Sequence, residues 1–151
     1  MSLKTRLETD MKLALKARDT ARLSVLRMAV SAVKQREIDS GHRAEGLDET
    51  ESLSVIERLI KQRRESAEQY RNAGREDSAA AEEAEARVLS DYLPEPVDAA
   101  TLDAAIHDAI HEIGATSRRD MGKVMGVLKA RLAGRADMAE VSRRVRDQLT
   151  D

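Results

Sequence analysis

Apolar residues recur along this chain at three- and four-residue intervals, the spacing that gathers them on one face of a helix. Leu3, Leu7, Met11 and Leu15 keep it behind Ser2, a side chain suited to capping a first helix. Asp19 is placed to cap a second, on which Leu23, Leu26, Val30 and Val33 share a face. After a turn around Ser40–Gly46, Asp48 and Glu51 have capping-box spacing and open a long third helix. Gly74 is placed to end that helix as a left-handed C′ residue. A fourth is expected from about Asp77 to Tyr92, through Ala79-Ala-Ala81. Four helices with short links predict an up-down bundle over residues 1–93.

Leu93-Pro-Glu-Pro96 marks the boundary, because two prolines so close cannot occupy a helix interior. Beyond it the pattern predicts three shorter helices. One runs from Asp98 to Ile113 and ends at Gly114. The next covers Ser117 to Leu132 and ends near Gly134, and the last spans Asp137 to Leu149, where Asp137 and Glu140 again have capping-box spacing. The expected architecture is all-α: an N-terminal four-helix up-down bundle, then a small three-helix C-terminal subdomain over residues 94–151.

Composition supports that class. Hydrophobic residues make up 41% of the 151 positions but aromatic ones only 1%, so the core must be built from Leu, Ile, Val, Met and Ala. Such a core suits closely spaced helices better than sheets. No run approaches the ~18 apolar residues of a membrane-spanning helix, so no membrane association is expected. The absence of cysteine excludes disulfides, thiolate nucleophiles and cysteine zinc sites. Glu8 lies early and no apolar core follows the N-terminus, which argues against a signal peptide and leads to the expectation of a cytoplasmic protein. The formal charge of −2 hides an uneven distribution. Residues 94–116 carry five acids and no Lys or Arg, while 117–151 carry nine Lys/Arg against five acids, a local balance of +4. That polarity permits contact with nucleic acid.

The sixth predicted helix is the most informative stretch. At about 100° per residue, Met121, Val124, Met125, Leu128 and Leu132 share one face. Gly122, Gly126 and Ala130 gather opposite, with Arg119 and Lys123 beside them and Lys129 at the flank. An interior Gly costs about 0.5–1 kcal/mol against Ala. Two of them off the core stripe imply that something approaches this backbone closely: a neighbouring helix of the same chain, or a partner surface such as a phosphate backbone.

Other residues say less. Arg63 falls on the apolar stripe of Leu53, Ile56, Ile60 and Ala67, where it either snorkels or pairs with an acid of the fourth helix such as Glu85, or else grips phosphate. His107 and His111 share a helix face, but Asp108 replaces the longer Glu of the zinc-protease pattern and no third ligand lies near. Surface histidines are the better account. No phosphate loop, nucleophile elbow or Ser/His/Asp cluster is present, so no catalytic residue, metal or cofactor is assigned.

Several strings together resemble one family: Arg22-Leu-Ser-Val-Leu-Arg27, Ile60-Lys-Gln-Arg-Arg-Glu-Ser66, Tyr70-Arg-Asn-Ala-Gly-Arg-Glu-Asp77, Tyr92-Leu-Pro94, Asp120-Met-Gly-Lys-Val-Met-Gly126 and Gly134-Arg-Ala-Asp137. In order and extent they resemble the YqeY family (GatB/YqeY), which is related to the C-terminal tail of GatB, a component of the tRNA-dependent amidotransferase. That enzyme amidates mischarged Glu-tRNA or Asp-tRNA with glutamine as nitrogen donor, and its tail domain is thought to contact the tRNA body. The resemblance implies a two-part helical fold and tRNA recognition more than catalysis, although a carbon–nitrogen ligase label travels with the family. The implied contact surface is Met121–Asp137, with Lys123 and Arg135 its best cations. One departure is Ser78-Ala-Ala-Ala81, where the family tends to carry a larger apolar residue; it weakens the early packing of the fourth helix. The near absence of aromatics removes base-stacking platforms, leaving shape and backbone recognition.

The leading expectation is a non-catalytic, tRNA-associated helical module. Arg119, Lys123, Lys129, Arg131 and Arg135 would meet phosphates, and Gly122, Gly126 and Gly134 would permit close approach. One alternative is a protein adaptor docking a partner helix on the Gly122/Gly126 face. Another is an accessory chain assisting amidation of mischarged tRNA.

Overall fold

The computed structural model describes residues 1–149; Thr150 and Asp151, the end of the expected second subdomain, lie outside the described residues. Among the described residues there are seven α-helices and no strand: α1 (Leu3–Lys16), α2 (Thr20–Asp39), α3 (Glu49–Asn72), α4 (Glu76–Ser90), α5 (Ala99–Ile113), α6 (Met121–Arg131) and α7 (Met138–Gln148). The chain divides into two compact units, Met1–Leu93 and Pro94–Asp151. The protein is all-α.

In the first unit α1 packs along α2 and α3 along α4. Ser2, Asp19 and Asp48 cap their helices by accepting backbone N–H bonds from Thr5, Arg22 and Glu51. Only the Asp48 half of the expected capping box forms; the Glu51 carboxylate instead lies 3.9 Å from His42 Nδ1. Leu3, Leu7, Leu26, Val33, Ile56 and Leu89 are fully buried. The stripe of α1 departs from expectation at its end: Leu15 is 57% exposed and Ala14 takes the inward position. Helical phase accounts for it: at ~100° per residue Ala14 falls within ~20° of Leu3 and of Leu7, whereas Leu15 has turned ~100° further round. Gly74, at φ +73°, turns the chain between α3 and α4. On α4 the inward residues are Ala79, Ala86 and Leu89, so its early packing rests on small side chains that let α3 come close.

Arg63 resolves in favour of structure. Its Nε donates to Glu85 Oε2 of α4 at 3.3 Å, and its side chain is 17% exposed. Tyr92 is buried at the end of α4, with its hydroxyl donating to the Asp10 carboxylate of α1 and Arg6 lying 5.3 Å over its ring. Burial, and then the Asp10 carboxylate, push the phenol well above its ordinary ionisation range.

The second unit is built around one aliphatic core of Leu102, Ile106, Ala109, Val124, Leu128, Leu132, Val141, Val145 and Leu149. Asp98 caps α5 by accepting from the Thr101 N–H, a bond that holds its carboxyl below the usual carboxylate range. Gly114, at φ +71°, ends α5. The expected single helix from Ser117 to Leu132 is instead a 3-10 turn over Arg118–Asp120 followed by α6. The reason is a tight capping box: Asp120 Oδ2 accepts from the Thr116 and Ser117 N–H groups while Ser117 Oγ accepts from Arg119 N–H. Asp137 caps α7, but Glu140 turns away from the cap to bind Arg144 at 2.9 Å.

Candidate nucleic-acid interface

Helix α6 carries both the core and the open face of the second unit. Val124 and Leu128 are fully buried, while Met121 and Met125 are half-buried at the margin of the core. On the other side Gly122 and Gly126 are exposed, and nothing lies within 4 Å of the position a Cβ would occupy at either. Within this unit, therefore, no neighbouring helix requires the glycines. What they leave is a strip of bare helix backbone facing outward.

The cations differ in availability. Arg119, Lys123 and Lys129 are exposed, and no salt bridge within 4 Å engages them among the described residues, though the Lys123 charge helps hold the Asp120 carboxyl below its ordinary range, after the Thr116 and Ser117 N–H bonds. Lys123 and Lys129 stand on either side of the glycine strip in the helical projection. Arg131, though exposed, is engaged: its Nη2 donates to Glu112 of α5, whose hydrogen bond and charge raise the guanidinium pKa further. Arg135 is exposed but donates from Nε to the Glu95 carbonyl at 3.3 Å. Gly134 is buried and left-handed at φ +72°, so it shapes the α6–α7 turn and does not share the open strip.

The acidic segment and the basic one partly satisfy each other. Glu112 takes Arg131, and Asp103 takes Arg144 at 2.9 Å. The local excess of positive charge is thus concentrated on what remains unpaired. Two further arginines are exposed on α7 and not singled out by the sequence reading, Arg146 and Arg143, the latter 3.8 Å from Glu140. Their spacing of three, out of phase with Val141 and Val145, was the available signal.

The remaining candidates hold no such geometry. His107 and His111 are both exposed on α5, and no group of three or more metal-ligating side chains converges among the described residues. No helix of the described residues is long and apolar enough to cross a membrane.

Comparison with known proteins places the chain in a family. The family described as Yqey-like protein matches residues 4–149. Curated relatives include the protein named "Altered inheritance of mitochondria protein 41, mitochondrial" from three fungi. In Lachancea thermotolerans it is 32% identical over 109 residues, covering 71% of this chain and 57% of the relative. In Eremothecium gossypii the figures are 33% over 112 residues, 73% and 60%. In Pyrenophora tritici-repentis they are 30% over 146 residues, 94% and 78%. The chain thus spans less than two thirds of the length of the first two relatives.

These relatives overturn the cytoplasmic expectation, since each is named a mitochondrial protein. The expectation rested on the lack of an apolar leader core, a feature of secretory signals. Mitochondrial targeting segments are amphipathic and basic, so that feature does not discriminate the two compartments. With the match running almost end to end and the helical fold in agreement, the chain belongs to the YqeY family.

Proposed function

We propose that this chain is a non-catalytic RNA-binding module that recognises the shape and phosphate backbone of folded tRNA. In this reading the first unit is an up-down bundle, and α6 of the second unit supplies the contact face. One observation carries it: Arg119, Lys123 and Lys129 are exposed without a salt bridge among the described residues, around a glycine strip with nothing over it. A bare helix backbone between two lysines allows a polyanion to approach more closely than a side-chain-covered face would. The two tyrosines are committed elsewhere, Tyr92 in the core and Tyr70 beneath Arg75, which favours backbone contact over base stacking.

The test is tRNA binding by the full chain across a salt series, with an unstructured RNA of equal length as control. Binding should saturate, prefer the folded RNA and weaken as salt rises. Lys123→Glu with Lys129→Glu should weaken it for all tRNAs alike. Arg131→Gln should change it less, because Glu112 already neutralises that guanidinium. A double variant that binds like the parent sinks the proposed surface.

A second reading is a protein adaptor that docks a partner helix on the same strip. The open space over Gly126 favours it equally. Gly126→Leu would then abolish the complex, and salt would have little effect.

A further inference from the structure

Arg135, in the turn between α6 and α7, is the cation best placed to signal the arrival of a ligand. Arg135 follows the buried, left-handed Gly134 and reaches back across the α6–α7 turn to the segment by which the chain enters the second unit. Two bonds join them in opposite senses. The Val97 N–H donates to the Arg135 carbonyl at 3.0 Å, and Arg135 Nε donates to the Glu95 carbonyl at 3.3 Å. Val97 itself packs against the unit's core. The guanidinium thus closes a clasp over Pro94-Glu-Pro96, a stretch whose prolines offer no N–H of their own.

We propose that Arg135 is an anion-sensitive latch: a phosphate captured by its guanidinium draws it off the Glu95 carbonyl and loosens the entry segment. This rests on the phosphate-binding reading given above. The physical basis is a difference in acceptors. The bond to Glu95 is near the long end of the hydrogen-bond range and goes to a neutral carbonyl. A phosphate accepts two parallel bonds from the guanidinium fork with both partners charged, whereas the carbonyl takes a single bond from a charged donor and offers no charge of its own. The side-on edge of that fork includes Nε, the atom now committed to Glu95. Glu95 also keeps a carboxylate within side-chain length of the clasp. An arriving phosphate therefore meets like charge on the entry segment, and release of that segment relieves it. The ligand binds the open latch better than the closed one, which is the condition for shifting the equilibrium.

Amide hydrogen exchange at Val97, measured on the full chain, reads the latch directly. Arg135→Ala should speed Val97 exchange about three- to tenfold, the loss of one net hydrogen bond. Arg135→Lys, which keeps the charge but lacks the fork, should do nearly the same and guards against a folding defect. In the parent chain, saturating tRNA should raise Val97 exchange toward the Arg135→Ala level, and it should add nothing in that variant. By reciprocity, Glu95→Gln should bind tRNA more tightly than the parent. If tRNA binds but Val97 exchange is unchanged or slower, the latch is refuted while the binding face stands. If tRNA does not bind at low salt, both fall, and faster exchange in Arg135→Ala then marks a purely structural clasp.

Discussion

Removing either partner of the Arg63–Glu85 pair should have unequal consequences, and the inequality can be worked out in advance. Arg63 occupies a core-stripe position of α3 with a side chain 17% exposed, whereas Glu85 on α4 is 38% exposed. Glu85→Ala leaves a largely buried guanidinium without its carboxylate. Breaking a fully buried pair costs about 3–5 kcal/mol. The water that reaches Glu85 reduces this, so a loss of about 1–2 kcal/mol is expected. Arg63→Met keeps the aliphatic stem against α2 and α4 and removes the charge. The stranded Glu85 turns to solvent, and the cost should stay below about 1 kcal/mol. The double variant should match Arg63→Met, giving a coupling equal to the Glu85→Ala loss, about 1–2 kcal/mol. Urea unfolding followed by tyrosine fluorescence isolates the effect, because Tyr70 and Tyr92 are the chain's two aromatic residues and both lie in the first unit. An Arg63→Met variant less stable than Glu85→Ala would refute the reasoning, since it would show that the stem or the charge contributes net stability by itself.

Gly122→Ala with Gly126→Ala should stabilise the second unit by about 0.5–1 kcal/mol per site, because the new methyls meet nothing; helix melting followed by circular dichroism gives the answer, and on the RNA reading affinity should fall as stability rises. Gly134→Ala, at φ +72°, should destabilise the same unit by about 1 kcal/mol in the same melt. Ala79 is fully buried on the inner face of α4, so Ala79→Leu should overpack that face and cost about 1–3 kcal/mol in urea unfolding. Tyr92 has its pKa raised in the folded state, so the stability this contributes is present below the unfolded value of about 10 and is lost as pH climbs toward the folded value. An alkaline titration of unfolding should therefore show a decline above pH ~10 that Tyr92→Phe removes.

Most of the helices were legible because they carry their own punctuation. Ser2, Asp19, Asp48, Asp98 and Asp137 all accept the cap bonds their positions imply, and Gly74 and Gly114 adopt the left-handed turn expected of them. Periodicity placed Leu23, Leu26, Val30 and Val33 inward for the same reason. What local pattern could not supply was the competition between neighbours. The inward turn of Ala14 is no such case, because it shares the phase of Leu3 and Leu7 and Leu15 does not. Glu140 had the spacing for a cap, yet an Arg one turn further along α7 offered it a charged partner. Among the site residues, charge and face were readable for Arg119, Lys123 and Lys129. The capture of Arg131 by Glu112 depends on how α5 lies against α6, which spacing within either helix does not encode.

Helix α6 is short, has two interior glycines, and starts at Asp120 without a side-chain cap bond. Isolated helices below about 12–15 residues are marginal even with favourable sequences. Its eleven residues hold their shape because Val124 and Leu128 are locked against α5 and α7. The outward strip is therefore a property of the assembled unit and not of the segment that bears it. A peptide spanning 117–137 would carry every cation and both glycines and still lack the surface.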